Sequence, residues 1–404
     1  MRTDGAQPTK MGRALTLLLQ DERVGRAVER IRATDEATLA TQIELSEIAA
    51  PPFLEAARGE RMAGLMTEAG RYDVRRDEVG NVLCTRSEVP PTRPAFVVSA
   101  HLDTVFPAGT DVRVKRDGNT LRGPGISDDA RGLATLLALA RALEECGIRT
   151  ATPLLFAATV GEEGIGDLRG VKHLLVNGRG DLPVAGFVSL DGAGLERVVV
   201  RGLGSRRFRI TASGPGGHSW VDWGTPNPIH RLSALAHDFT QMRLPADPVV
   251  TLTIARWGGG KSINAIPQHA WIELDTRSDD DTCLVELESE IRRLIDEASS
   301  AAPSGIVFDA ETIGRRPAGA TPIESDIVQA ALVATRNQGV EPRLATSSTD
   351  ANIPMSLGIP AVTLGCGGEA GKTHTTEEWY RNAQGVRGVV RAFYTILLVA
   401  GIEA

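Results

Sequence analysis

Cysteine is scarce. The 404 residues contain four, Cys84, Cys146, Cys283 and Cys366, spread far apart. No C-x-x-C occurs, which excludes zinc-ribbon and thioredoxin-like readings, and a chain of this size needs no disulfide framework. Aromatic residues make up only 4%, no Lys/Arg block interleaves with them, and the net charge of -7 comes from interspersed signs. That pattern argues against a nucleic-acid-binding face. No stretch approaches the roughly 20 apolar residues of a membrane span. The early run "ALTLLL" is too short for a secretory signal and gives way at once to "QDERVGRAVER". These absences lead us to expect a cytoplasmic protein with reduced thiols and a loose tail over its first ten residues, binding neither nucleic acid nor membrane.

What is present describes an ordinary globular chain, 42% hydrophobic and 24% charged. Its length exceeds what one compact core organises, so two domains are expected. Helical periodicity predicts one helix from Met11 to Ala33, a second over Asp35–Ile48 ended by "APPFL", and a third over Leu54–Glu68. Short apolar strands follow in "NVLCTR", "AFVVSA", "TPLLFAATV" and "GFVSLD", with the amphipathic helix "ARGLATLLALARALEEC" between the second and third. Such alternation predicts an α/β sheet flanked by helices. Near Gly202 the pattern changes. "RRFRITASG" alternates as a half-exposed antiparallel strand does, and the order β-α-β-β-α-β after it predicts a small ferredoxin-like sandwich. The α/β character resumes after "RRPAGATP" with a helix near Ser325–Asn337, the strands "PRLATSS" and "AVTLG", and a closing helix from Ala383. The expected organisation is a first catalytic part over 1–202, an insertion over 203–315 and a second catalytic part over 316–404.

The chemistry-bearing residues recur where predicted strands end. "VVSAHLDTV" offers His101 and Asp103 on one face of an extended segment, with Asp103 spaced to orient the imidazole. "GPGISDDARG" offers Asp128 and Asp129 before a helix; a cap explains one aspartate, and a carboxylate between two cations would explain the other. "ATVGEEGIG" offers Glu162 and Glu163 side by side, "VSLDGAG" offers Asp191, and "GKTHTTEEW" offers His374. Taken singly, each element has an ordinary structural explanation. Together, at the carboxyl ends of strands in an open α/β sheet, they match a site for two divalent metals. A phosphate loop in "GPGISDD" is excluded, because no Lys-Ser/Thr follows the glycines.

In this order the H-x-D, G-x-G-x-x-D-D, E-E, S-x-D and G-x-x-H elements resemble the M20 family of di-metal peptidases and amidohydrolases, from about Leu45 to the end of the chain. The resemblance implies a zinc-exopeptidase-like mixed sheet with an inserted ferredoxin-like lid and dimerisation domain. It also implies two divalent ions, most simply Zn2+, with Mn2+ or Co2+ also suited to nitrogen and oxygen ligands. By the same resemblance His101 and Asp191 hold one ion, Glu163 and His374 hold the other, and Asp128 bridges them. Asp103 orients His101, and Glu162 is the general base and acid for a metal-activated hydroxide. The peptide after Asp128 is expected to be cis. The basic residue usual two places after the bridging aspartate is here Ala130, with Arg131 following.

"SGPGGHSW" looks like the family's lid motif. His218 there matches the histidine that a partner subunit contributes to polarise the scissile carbonyl in dimeric members. Asn264 in "SINAIP" and Arg277 in "LDTRS" match residues that bind a substrate carboxylate, with a structural salt bridge as the alternative for Arg277. Ser347, Thr349 and Asp350 in "SSTDAN" read as helix-capping residues without a catalytic role. By the same resemblance, aspartate at 191 and the carboxylate demand of Arg277 together favour an exopeptidase for short peptides, tripeptidase- or dipeptidase-like; an N-acyl-amino-acid amidohydrolase is the alternative. A non-catalytic relative is disfavoured, since the ligand positions and the base are all retained.

Overall fold

The computed structural model describes residues 9–86, 94–177 and 183–403. The first eight residues of the expected tail lie outside that range, and Lys10 already opens a helix capped by Thr9. The single helix expected over Met11–Ala33 is two, Lys10–Leu18 and Glu22–Ala33. Asp21 makes the break. Its carboxylate accepts from the Arg23 backbone at 2.8 Å, so a new helix is capped there before the old one can continue. No helix among the described residues is long and apolar enough to cross a membrane.

The chain forms two compact units, one running to Gly202 and resuming at Ala320, the other spanning Leu203–Gly319. The first is an α/β unit on a mixed sheet. From one edge its strands run Tyr72–Arg76, Val82–Arg86, Leu154–Thr159, Ala95–His101, Val184–Leu190, Ala361–Leu364 and Arg197–Gly202, with Arg343–Ser347 beside the last. The central four are parallel to one another, in pairs 95–101 with 154–159, 95–101 with 184–190, and 184–190 with 361–364. Alternate side chains of a strand point to opposite faces. Phe96, Val98 and Ala100 therefore join one apolar cluster with Leu133, Leu137 and Phe393, while Ala95 and Val97 join another with Phe187, Leu168 and Ile353. Burial on both faces is why these strands are near-continuous apolar runs. The strands Tyr72–Arg76 and Arg197–Gly202 carry charged residues and escape a search for such runs.

The helix Val386–Ala400 packs against the loop after the Ala361–Leu364 strand. A methyl group on Gly388 would lie 2.1 Å from the backbone of Cys366 and Gly367. Gly388→Ala is therefore expected to lower Tm through an overpacking cost of about 1–3 kcal/mol. A thermal melt checks this, and an unchanged Tm would refute the close packing.

The second unit follows the order strand, helix, strand, strand, helix, strand. Its antiparallel sheet runs Val250–Gly259, His269–Ser278, Gly204–Ser213, Val307–Arg316. Phe208, Ile210 and Ala212 meet Leu235 and Phe239 of the helix Pro228–Gln241 and Ile291 of the helix Asp281–Ser300 in one core. The alternate residues Arg207 and Arg209 pair instead with Asp275 and Glu273.

Candidate metal centre

The parallel strands end along one edge of the first unit's sheet, and the acids and histidines sit there. His101 is the last residue of its strand, Glu162 and Glu163 follow Leu154–Thr159, and Asp191 follows Val184–Leu190. Gly161 and Gly164, with φ of 64° and 49°, supply the left-handed turns on either side of the two glutamates. The Asp128–Asp129 peptide is cis.

The two aspartates divide their work. Asp129 caps the helix Ala130–Glu145 by accepting from Gly132 N at 2.9 Å, and its other oxygen accepts from His101 N at 3.0 Å. Asp128 meets both imidazoles: Oδ1 lies 2.9 Å from His101 Nε2, and Oδ2 lies 3.1 Å from His374 Nε2. His374 Nε2 is also 2.9 Å from Glu163 Oε1. One ligand atom each from His101, Asp128 and Glu163 falls within 4.8 Å of the others, a candidate metal triad.

Asp103 meets both the His101 ring and the glutamate pair. His101 Nδ1 lies 3.1 Å from the Asp103 backbone oxygen and 3.6 Å from carboxylate Oδ1. The two carboxylate oxygens also accept from Glu162 N and Glu163 N, each at 2.8 Å. Asp103 thus holds the backbone of the glutamate pair to the end of the His101 strand.

Electrostatics agree with a site built for cations. Burial, then repulsion from Asp128, pushes the Asp191 carboxyl up to about 7. Burial opposes a charged His101, yet hydrogen bonds to Asp103 and Asp128 hold its pKa well above the ordinary imidazole value. Asp128 and Glu163 raise His374 to about 10. Burial opposes ionisation of Asp128, but the two imidazoles keep its carboxyl well below the usual range. Protons on the histidines therefore serve as counter-charges for crowded carboxylates. A divalent cation fits this donor set and would displace those protons, so its affinity falls as pH falls. Arg58, 1% exposed, adds a fixed buried cation and donates to the Leu102 carbonyl beside His101 at 2.8 Å.

Two buried carboxylates beside the site are not assigned to it by the sequence: Glu378 is not singled out, and Asp350 reads only as a helix cap. Glu378, fully buried, accepts hydrogen bonds from the loop that carries Asp128. Asp350, 2% exposed, accepts from Thr159 Oγ1 at 2.5 Å, and its charge adds to those that raise Asp191. Of the three residues read as caps, Thr349 accepts from Ala351 N through its Oγ1 at 3.2 Å just before the helix Asn352–Ser356. Glu378 left one signal in the sequence, the adjacent acid pair Glu377–Glu378 three and four residues beyond His374.

The remaining predicted residues lie in the second unit. His218 is exposed, and its Nδ1 accepts from Trp220 N at 3.2 Å and Val221 N at 3.3 Å, which places the ring proton on Nε2. The Asn264 side chain accepts from Ser262 Oγ at 2.5 Å. Arg277 donates Nε to Asp275 at 2.7 Å, the structural ion pair considered for it.

Curated protein sequences return no match. Among solved structures, a tripeptidase from Staphylococcus aureus has a TM-score of 0.72 at 23% identity, over 90% of this chain and 98% of that one. Aminopeptidase PepT from Bacillus cereus has a TM-score of 0.71 at 22% identity, with the same coverage of 90% and 98%. A hydantoinase/carbamoylase family amidase from Burkholderia vietnamiensis reaches 0.67 at 17% identity, covering 92% and 97%. At these identities the likeness is one of fold. The family model for peptidase family M20/M25/M40 matches residues 97–398, which span every strand end of the site, and the chain belongs to that family.

Proposed function

We propose that the protein hydrolyses amide bonds of short peptides as a metal-dependent exopeptidase of the tripeptidase or dipeptidase kind. The observation that carries this is the convergence of His101, His374 and Glu163 on Asp128 at the edge of a sheet in an M20/M25/M40 chain. His101 and Asp191 would hold one cation, Glu163 and His374 the other, with Asp128 between them; Zn2+ suits these ligands, as do Mn2+ and Co2+. Ions held there would supply a water of lowered pKa, toward about 7, and Lewis-acid polarisation of the amide carbonyl.

This chain's own residues do the rest. Glu162 takes the proton of the attacking water and returns it to the leaving amine. Asp103 keeps both glutamates in register through their backbone N–H groups. His218, with its proton on Nε2, donates to the carbonyl oxygen as it gains charge. We read Leu203–Gly319 as a ferredoxin-like lid and dimerisation domain, so that His218 reaches the site of the other subunit in a homodimer. Asn264 and Arg277 receive the substrate carboxylate. Four free cysteines suit a reducing cytoplasm.

The likeness to a tripeptidase and an aminopeptidase favours peptides, whereas the likeness to an amidase supports a second reading, an N-acyl-amino-acid amidohydrolase. A panel of tripeptides, dipeptides and N-acetyl amino acids, assayed with added Zn2+, Mn2+ or Co2+ and with chelator, separates the two. Release of a free amino-terminal residue from tripeptides, lost with chelator, is expected. Acetate release alone would favour the second reading, and cleavage indifferent to chelator would overturn both.

A further inference from the structure

His374 is a weakly supported place for a metal ligand. Its side chain is 52% exposed, so packing does not hold it, and its φ of 66° is a conformation that L-residues adopt at a cost. Something else must keep its ring against Asp128.

Glu378 is placed to do so. Oε1 accepts from Ser127 N at 2.8 Å, Ser127 Oγ at 2.9 Å and Asp128 N at 3.1 Å, and Oε2 accepts from Gly125 N at 3.1 Å. The backbone continues the same seam: the Glu378 carbonyl accepts from Gly123 N, and Glu378 N donates to Thr375 O, both at 3.0 Å. Trp379–Arg381 then pairs with Thr120–Arg122. The result is a closed ring of contacts. It runs from the Glu378 carboxylate to the Asp128 backbone, through the Asp128 side chain to the His374 ring, and back along the turn to Glu378. An ionised carboxylate is the side chain for this task, because its oxygens are acceptors only and all four partners are donors.

We propose that Glu378 is a positioning residue that locks the His374 turn to the Asp128 loop, so that the bridging carboxylate and the second ion's imidazole are presented as one preset unit. The inference rests on the metal-dependent reading of the site. Supporting residues around metal ligands typically contribute about 10- to 100-fold in affinity or activity. Glutamine at 378 keeps one acceptor oxygen but turns an N–H2 toward one of the donors, so it breaks the clamp with little change in volume.

The test titrates the metal-free wild type, Glu378→Gln and Ser127→Ala with Co2+, following heat and the visible spectrum of the bound ion, and compares the melts of the metal-free proteins. The wild type is expected to bind two ions. Glu378→Gln is expected to bind at least one of them about 10- to 100-fold more weakly, with an altered Co2+ spectrum and a lower kcat at little-changed KM. Ser127→Ala, which deletes one of the four hydrogen bonds, should show a smaller loss in the same direction, and it decides the matter if Glu378→Gln does not fold. Wild-type Co2+ affinity and spectrum in the variants would overturn the proposal, even if their melts fall. A wild type that binds no ion would instead overturn the metal-dependent reading itself.

Discussion

Asp128→Ala is expected to leave a folded protein that has lost most of its metal and, with it, activity by at least about a thousandfold. Its two oxygens divide between His101 and His374. Removing it takes a ligand from both proposed cations at once, and the general effect of losing a catalytic metal is loss of the several kcal/mol of transition-state stabilisation that the ion supplies. The fold should survive, because the following helix and the Gly125–Asp128 loop are held by other groups. Asp129 caps the following helix, and Glu378 holds the loop through backbone groups. Metal content by elemental analysis, beside a thermal melt, checks the expectation. Two ions retained at wild-type affinity would remove Asp128 from its bridging role.

Much of the architecture could be read from the chain because its physics is local. A strand buried on both faces must be apolar throughout, so Ala95–His101 and Val184–Leu190 announce themselves. Site residues were legible for a related reason: in an open α/β sheet, functional groups gather beyond the carboxyl ends of strands, and a carboxylate there breaks an apolar run visibly. The Asp128–Asp129 pair shows where that reading reaches its limit. The sequence allowed one aspartate to cap and the other to face cations, and the structure assigns the cap to Asp129 by its 2.9 Å bond to Gly132.

What was illegible depends on contacts distant in sequence. Glu378 stands in "GKTHTTEEW", where an acid pair in a polar loop reads as solvated charge. It is buried only because Trp379–Arg381 pairs with Thr120–Arg122 and brings the Gly125–Asp128 loop over it, some 250 residues away in the chain. Asp350 is hidden in the same way, since its partner Thr159 is 191 positions distant. Asp103 illustrates a subtler case. Its spacing from His101 suggests a carboxylate–imidazole pair, and its carboxylate lies 3.6 Å from the ring, but the two backbone N–H groups it also accepts from are brought near only by the strand pairing of 95–101 with 154–159. Helix breaks such as Leu19–Asp21 were missed because a capping aspartate inside a periodic pattern also fits a continuous exposed face.

The second large effect concerns the two glutamates. Glu162→Gln is expected to lower kcat by about 10²–10⁴-fold, the usual contribution of a general base, while both metals stay bound. Asp103 fixes the two residues by adjacent backbone N–H groups at 2.8 Å, and Glu163 is extended, with φ of -84° and ψ of 144°. Neighbouring side chains on extended chain point to opposite sides. Glu163 spends its carboxylate on His374 and belongs to the candidate metal triad, while Glu162, 5% exposed, is the neighbour we expect to move the proton. Glutamine preserves the volume and hydrogen-bonding shape of Glu162 but has no basic oxygen for a proton, so metal content should be unchanged while turnover collapses. Glu163→Ala is the matching control, expected to lose metal as well as rate. The pair of measurements separates holding an ion from moving a proton. Should Glu162→Gln turn over at the wild-type rate with its metals in place, the base lies elsewhere; should it lose metal as Glu163→Ala does, the division of labour between the two residues fails.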